Sequence, residues 1–214
     1  VAAADALLAH ADGSIRAATA EYLGERAKDS PERLRRFREL LADPEPRVRA
    51  AVVPALFQAR QDMDRGHLAV MTKDPSPRVR ALALQSLDLW DAEAEAFEEA
   101  LHDPEWEVRL HAAVALARRG KAEGREHVAR LAGDRDTGPR LFVAASIAHL
   151  PEDQARELWE GLRKDAHATV RAMAHRRWSE RGEAARKEAL VRALADATDE
   201  VRVAALDMLA EERP

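Results

Sequence analysis

Five times in this chain an aspartate is followed five residues later by valine and then arginine. The copies are Asp43-Val48-Arg49, Asp74-Val79-Arg80, Asp103-Val108-Arg109, Asp165-Val170-Arg171 and Asp196-Val201-Arg202. Two weaker copies fill the gaps: Ile15-Arg16 lacks the aspartate, and the stretch around Phe142 reads as lacking the arginine. With 15, 48, 79, 108, 142, 170 and 201 as equivalent positions, the steps are 33, 31, 29, 34, 28 and 31 residues. Self-similarity at a period near 31 means stacked copies of one small supersecondary unit, each touching only its neighbours. This constrains the chain more than its length does, since 214 residues would otherwise fit one or two globular domains.

Each repeat reads as two helices. In the second, Ser30-Pro31-Glu32 offers an N-cap with proline at the first helical position. Leu34, Phe37, Leu40 and Leu41 then form an apolar stripe. Asp43-Pro44-Glu45-Pro46 breaks that helix, because proline has no amide hydrogen and clashes with the preceding turn. A second helix follows with Val48, Val52 and Leu56 on one face. That face recurs as Val79-Ala83-Leu87, Val108-Ala112-Leu116, Val170-Ala174-Trp178 and Val201-Ala205-Leu209. First helices are predicted near 61–72, 92–101, 121–132, 151–163 and 183–195. No segment alternates with period two long enough to make a strand, so the chain is all-α with about seven helical pairs.

Composition removes several functional classes. The net charge of −5 gives no global attraction for nucleic acid or anionic membrane. Without cysteine there is no disulfide, thiolate catalysis or Cys-ligated zinc. No run approaches the 18 apolar residues of a membrane span, and no signal peptide is visible. The expectation is a cytoplasmic monomer with no membrane association.

The two-helix unit, with Asp before the turn and Val-Arg opening the second helix, resembles the HEAT repeat, and its short period is most similar to the HEAT-like units of the phycobilin-lyase type. The resemblance covers almost the whole chain. It implies an α-α superhelix, a HEAT/armadillo-type solenoid, forming one domain over 1–214 with repeats at about 1–28, 29–59, 60–90, 91–119, 120–150, 151–180 and 181–214. It also implies that the recurring arginine meets an aspartate of the same or a neighbouring turn. Asp43, Arg49, Asp74, Arg80, Asp103, Arg109, Asp165, Arg171, Asp196 and Arg202 are therefore expected to form a structural ladder rather than a phosphate site. The two residue types recur together at fixed separation, which a ladder requires. The Phe142 repeat, with Gly138-Pro139, is expected to be irregular.

Signs of an enzyme are absent from the sequence. The eight histidines form no His-x-x-x-His or His-Glu-x-x-His pattern, and no His-Glu dipeptide matches the iron ligands of the HEAT-like deoxyhypusine hydroxylases. Neither a nucleophile elbow nor a phosphate loop occurs. No catalytic residue, metal ligand or cofactor is assigned.

Two charged stretches stand out. Nine acidic residues and no Lys or Arg lie between Asp88 and Glu107, which reads as a solvated outer helix. Between Arg163 and Arg192 nine basic residues face four acidic ones, around Trp178. A cationic groove with tryptophan is similar to what HEAT-like alkylpurine DNA glycosylases use, so nucleic-acid binding is kept as an alternative. Against it, Trp178 falls on the core position of Leu56 and Leu87.

Positions two, six and ten after each key valine are expected to line the concave side: Ala50, Pro54 and Gln58; Ala81, Gln85 and Leu89; Leu110, Val114 and Arg118; Ala172, Arg176 and Glu180; Val203, Asp207 and Glu211. An apolar channel with a charged end suits a peptide or partner helix. Pro54, Gln85, Leu89, Leu110, Val114, Arg118 and Arg176 are the candidate contacts, with Trp106 as a rim anchor. The expected function is a non-catalytic scaffold for a protein or peptide partner. An accessory subunit of a chromophore lyase is the other alternative.

Overall fold

The computed structural model describes residues 2–210 apart from 27, 29 and 60; Glu211 lies outside the described residues. Every described element is helical, and the chain divides into two compact units, residues 1–111 and 112–214. Each unit is a stack of helix pairs of the α-α superhelix class.

The first unit holds α1 (Ala2–Leu7), α2 (Gly13–Gly24), α3 (Pro31–Leu40), α4 (Pro46–Ala59), α5 (Asp62–Met71), α6 (Pro77–Leu89) and α7 (Glu95–Glu98), the last continued by a 3-10 turn at Glu99–His102. The unit boundary falls within α8 (Trp106–Arg118). The second unit continues with α9 (Ala122–Ala132), α10 (Thr137–Ser146), a 3-10 turn at Ile147–His149, α11 (Glu152–Leu162), α12 (Ala168–Ser179), α13 (Glu183–Leu194) and α14 (Asp199–Ala210). Predicted first helices coincide with α5, α9, α11 and α13 to within two residues at each end. The segment predicted near 92–101 instead starts at Glu95 and tightens into 3-10 geometry after one turn. The adjacent carboxylates Glu93, Glu95, Glu98 and Glu99 repel one another along it, which weakens a longer helix.

The stripes read from the sequence make the core, except at the end of α14, where Leu209 is 38% exposed and its neighbour Met208 is buried instead. Val48, Val52 and Leu56 are fully buried in α4, as are Val79 and Ala83 in α6 and Val170, Ala174 and Trp178 in α12. The caps follow the local code. Ser30 Oγ accepts from the Arg33 amide ahead of Pro31. Three of the second helices, α6, α8 and α12, are followed by a positive-φ residue twelve positions after the key apolar one: Asp91 (φ 55°), Gly120 (φ 75°) and Gly182 (φ 122°). Glycine takes that conformation freely, and aspartate is among the few other residues that tolerate it. Gly124 permits a close helix crossing, because a Cβ there would lie 2.5 Å from the Ala117 nitrogen of α8.

The Phe142 repeat keeps the ladder positions, and its irregularity lies at the end of its second helix, where α10 gives way to the 3-10 turn at Ile147–His149. Asp134, Pro139 and Arg140 occupy the aspartate, valine and arginine positions, so the key residue is 139 and the steps on either side of it are 31. Pro139 is buried in the first turn of α10, where a helix needs no amide donor.

First helices carry ion pairs of their own. Arg33 bridges α3 to Asp5 of α1 at 2.7 Å, and Arg38 reaches the fully buried Asp64 of α5 at 2.6 Å. In the second unit Arg125 pairs with Asp153, and Arg156 lies 3.4 Å from Glu188. These pairs have no fixed sequence spacing.

Candidate functional site

The repeated arginines make two kinds of contact. Within its own repeat, each donates from Nη1 to the carbonyls six and five residues before it: Arg49 to Asp43 (2.8 Å) and Pro44 (3.3 Å), Arg80 to Asp74 (2.9 Å) and Pro75 (3.2 Å). Arg16, Arg109, Arg140 and Arg171 repeat the pattern, and Arg202 donates to the Asp196 carbonyl at 2.7 Å. The remaining nitrogens reach forward. Arg16 forks onto Asp43, Arg49 onto Asp74, and Arg80 onto Asp103, each through Nε at 2.7 Å and Nη2 at 2.8 Å. In the second unit Arg140 forks onto Asp165 and Arg171 onto Asp196. Two parallel charge-assisted bonds are the strong form of this pair.

The aspartates are also tied to their own turns, each accepting from the amide two residues on, as Asp43 does from Glu45, Asp74 from Ser76, and Asp196 from Thr198. Burial works to raise the pKa of Asp74, but the Arg49 fork and the Ser76 amide outweigh it and hold the carboxyl below its usual range. The same balance lowers Asp43, Asp103 and Asp165, and at Asp196 the Arg171 hydrogen bonds dominate outright.

The candidate groove residues separate into buried and accessible sets. In the first unit Leu110 is only 2% exposed, as buried as Ala50 and Ala81 at the same repeat position, so it packs into the core and offers a partner no surface. Pro54 is half-buried inside α4. Gln85 is exposed and Leu89 is 52% exposed, both on α6. Trp106 opens α8 and is half-buried. In the second unit Val114 is half-buried, while Arg118 and Arg176 are exposed. Positions six and ten thus reach solvent far more than position two, which belongs to packing between repeats. A furrow of about 340 Å³ runs over α2 and α4, with Ser14, Glu21, Arg47 and Arg78 on its rim. A larger one of about 620 Å³ lies elsewhere, along α5 and α7, lined by Lys73, Glu95, Glu99 and His102.

The basic stretch is extensively occupied by contacts within the chain. Arg181 donates to the carbonyls of Ile147, Ala148 and Leu150 and pairs with Glu152 at 2.8 Å. Arg163 covers Trp159 and bonds Glu160, and Arg177 bonds Glu180. Trp159 and Trp178 are fully buried and stacked, ring centroids 5.0 Å apart, which leaves neither for a nucleic-acid base. Trp159 donates its indole N–H to His175 Nδ1 at 3.4 Å. Among the described residues, no group of three or more His, Asp or Glu side chains is placed to hold a metal ion, and no helix is long and apolar enough to cross a membrane.

Burial pushes His175 down from its ordinary 6.5 to about 4, with a smaller opposing pull from Asp196. In the folded chain the ring therefore stays neutral while the unfolded chain protonates first as pH falls. Its contribution is complete above about pH 6.5 and is lost progressively down to about pH 4. The ladder aspartates, with depressed values, lose theirs only below about pH 4. Urea-unfolding free energies measured against pH should show a decline in the upper window of at most about 1.4 kcal/mol per pH unit from this histidine. His175→Gln should flatten it, leaving the contribution of His111, which burial also lowers. An unchanged slope in His175→Gln would exclude this ring as the titrating group.

A family model for HEAT repeats matches residues 2–87 and 65–148. Among solved structures, the complex of CpcE and CpcF of phycocyanin lyase from Nostoc sp. PCC7120 is similar. Its TM-score is 0.62 at 20% identity, over 99% of this chain and 87% of that one. The Escherichia coli protein YibA is similar with a TM-score of 0.56 at 17% identity, over 98% of this chain and 80% of that one. Both likenesses are of fold. No curated protein sequence matches the chain.

Proposed function

The chain belongs to the HEAT-repeat family, and on that premise we propose that it is a non-catalytic interaction module that binds a peptide or protein partner on the exposed face of its second helices. The observation that carries this reading is the accessible, non-repeating set at positions six and ten. Gln85 and Leu89 offer an amide and an aliphatic side chain in the first unit; in the second, the side chains of Arg118 and Arg176 are exposed. Leu89 is the aliphatic contact on which such a partner would seat, with Gln85 beside it as a polar contact. The ladder residues are the scaffold of this surface, with Arg16, Arg49, Arg80, Arg140 and Arg171 each reaching the aspartate of the next repeat.

Affinity capture from native lysate tests the reading. The wild-type chain should retain a protein partner that Leu89→Asp loses at least about tenfold, roughly 1.4 kcal/mol of binding. The exposed substitution should leave stability within about 0.5 kcal/mol. Equal capture by both chains would exclude the α6 face as the site.

A second reading rests on the likeness to the complex of CpcE and CpcF of phycocyanin lyase: this chain as an accessory subunit of a chromophore lyase. A captured partner carrying visible absorbance would favour it over a general scaffold.

A further inference from the structure

Leu89 is one end of a stripe that α6 presents to solvent, and Arg78 is the other. Arg78, Leu82, Gln85 and Leu89 follow one another at steps of four, three and four residues, so they share one face of the helix. Arg78, Gln85 and Leu89 are exposed, and Leu82 is half-buried. At a rise of about 1.5 Å per residue, Arg78 lies about 16 Å from Leu89 along the axis. Arg78 also borders the furrow of about 340 Å³ over α2 and α4, together with Arg47 at the equivalent position of α4. Small side chains such as Ala17 and Ala50 line that furrow, which keeps it open between the two guanidinium groups.

These two arginines sit where their helices disfavour them. Each is the second residue of its helix, where unbonded amides and aligned peptide dipoles favour an anion and oppose a cation. The same repeat position holds Glu107 in α8 and Glu200 in α14, whereas α4 and α6 have no acid in the first turn. The ladder uses neither arginine. Arg47 donates to Ser14 Oγ at 2.8 Å and pairs with Glu45 at 2.9 Å, both at the surface. The Arg78 guanidinium makes no hydrogen bond or ion pair among the described residues. Departures from local helix preference that bring no compensating contact are expected at functional positions.

We propose that the α6 stripe and this furrow together bind a peptide segment of a partner protein that carries a carboxylate at one end, held by Arg78 and Arg47, and an aliphatic side chain at the other, seated at Leu89. An extended chain covers the distance in about five residues. The inference rests on the α6 face being the partner site and adds the chemistry that the site reads. Guanidinium geometry matches a carboxylate through two parallel donors. It matches a phosphate as well, but a nucleic acid carries its charge continuously and would run past the exposed Glu21 carboxylate on the same rim. A peptide can place a neutral or basic residue there, and Leu82 and Leu89 offer it apolar contacts.

The probe is a random peptide library displayed on phage and selected on the wild-type chain. Enriched peptides should pair Asp or Glu with an aliphatic residue about five positions away. Arg78→Glu should weaken a selected peptide at least about tenfold in fluorescence anisotropy. The melting temperature of that variant should hold or rise, because an anion replaces a cation at a helix N-terminus; an arginine that served only the fold would lower it. If Arg78→Glu melts early, Arg78→Gln, which removes only the charge, takes its place. Enriched peptides that lack a carboxylate, or that bind the Arg78 variant as tightly as wild type, would overturn the inference. If those peptides still lose affinity to Leu89→Asp, the α6 face remains the partner site and only its acidic preference is wrong. Enrichment of nothing, or of peptides indifferent to Leu89→Asp, would remove both. A single-stranded oligonucleotide that binds more tightly than the selected peptides, and is lost in the Arg78 variant, would also overturn the inference by making phosphate the ligand.

Discussion

Arg49→Ala is expected to destabilise the protein by about 3 kcal/mol, within the range for removing one partner of a buried ion pair. The Asp74 side chain, only 2% exposed, would lose both arms of its fork and keep only the Ser76 amide. The carbonyls of Asp43 and Pro44 would lose the donor they share. An uncompensated buried carboxylate costs far more than the pair is worth against a hydrophobic replacement. The measurement is the urea midpoint at unchanged m-value, with Arg35→Ala as the comparison. Arg35 is 71% exposed and 3.6 Å from Glu39, so its loss should cost less than about 0.5 kcal/mol. Equal midpoints for the two variants would show that the fork does not hold the repeats together. If partner capture fell in Arg49→Ala while stability held, the arginine column would be a binding stripe instead.

Trp178→Ala should be costlier still, about 4 kcal/mol, the usual penalty for emptying a large aromatic site in a packed core. Trp178 is fully buried and stacked on Trp159 at an interplanar angle of 11°. The Arg156 guanidinium lies 4.8 Å from its ring centroid. Truncation would open a void and remove the surfaces on which Trp159 and Arg156 rest. Among the described residues its indole N–H has no hydrogen-bond partner, so Trp178→Phe gives up area without losing a hydrogen bond. Phenylalanine should therefore recover more than half of the alanine loss, as read from thermal melts of the two variants. Recovery of nothing would mean that the indole makes a polar contact the ring geometry does not account for.

Periodicity carried the fold because it rests on many weak signals in phase. The valine, alanine and leucine stripe, the aspartate at six of the seven turns and the proline at the start of several second helices recur together. Arg140 shows where such reading breaks down. A search for Val-Arg passes over Pro139-Arg140, although proline at the start of α10 leaves the arginine where the ladder needs it. Leu110 shows a different limit. Large and apolar at a position held by alanine in the two preceding repeats, it reads as exposed surface, yet close packing between second helices buries it. The ion pairs Arg33–Asp5 and Arg38–Asp64 left no trace in the sequence, since long side chains on first helices meet without fixed spacing. The stacking of Trp159 and Trp178 across two helices is likewise a three-dimensional coincidence that no linear pattern encodes.

The forward-reaching arginine has a consequence for how such a chain can change length. Arg16, Arg49, Arg80, Arg140 and Arg171 each bind their own turn with one nitrogen and the next turn's carboxylate with the other two. Excising the segment from just after Arg49 through Arg80 would bring Arg49 opposite Asp103, a carboxylate of the same kind in the same turn. Inserting a copy of that segment would do the reverse, and every guanidinium would still meet an acid. Whole-repeat gain or loss inside a unit therefore preserves the wiring wherever the cut falls, whereas removal of half that length leaves a cation facing helix instead of turn. The ladder inside a unit therefore tolerates changes of length in steps of about 31 residues, like a chain from which whole links are taken or added.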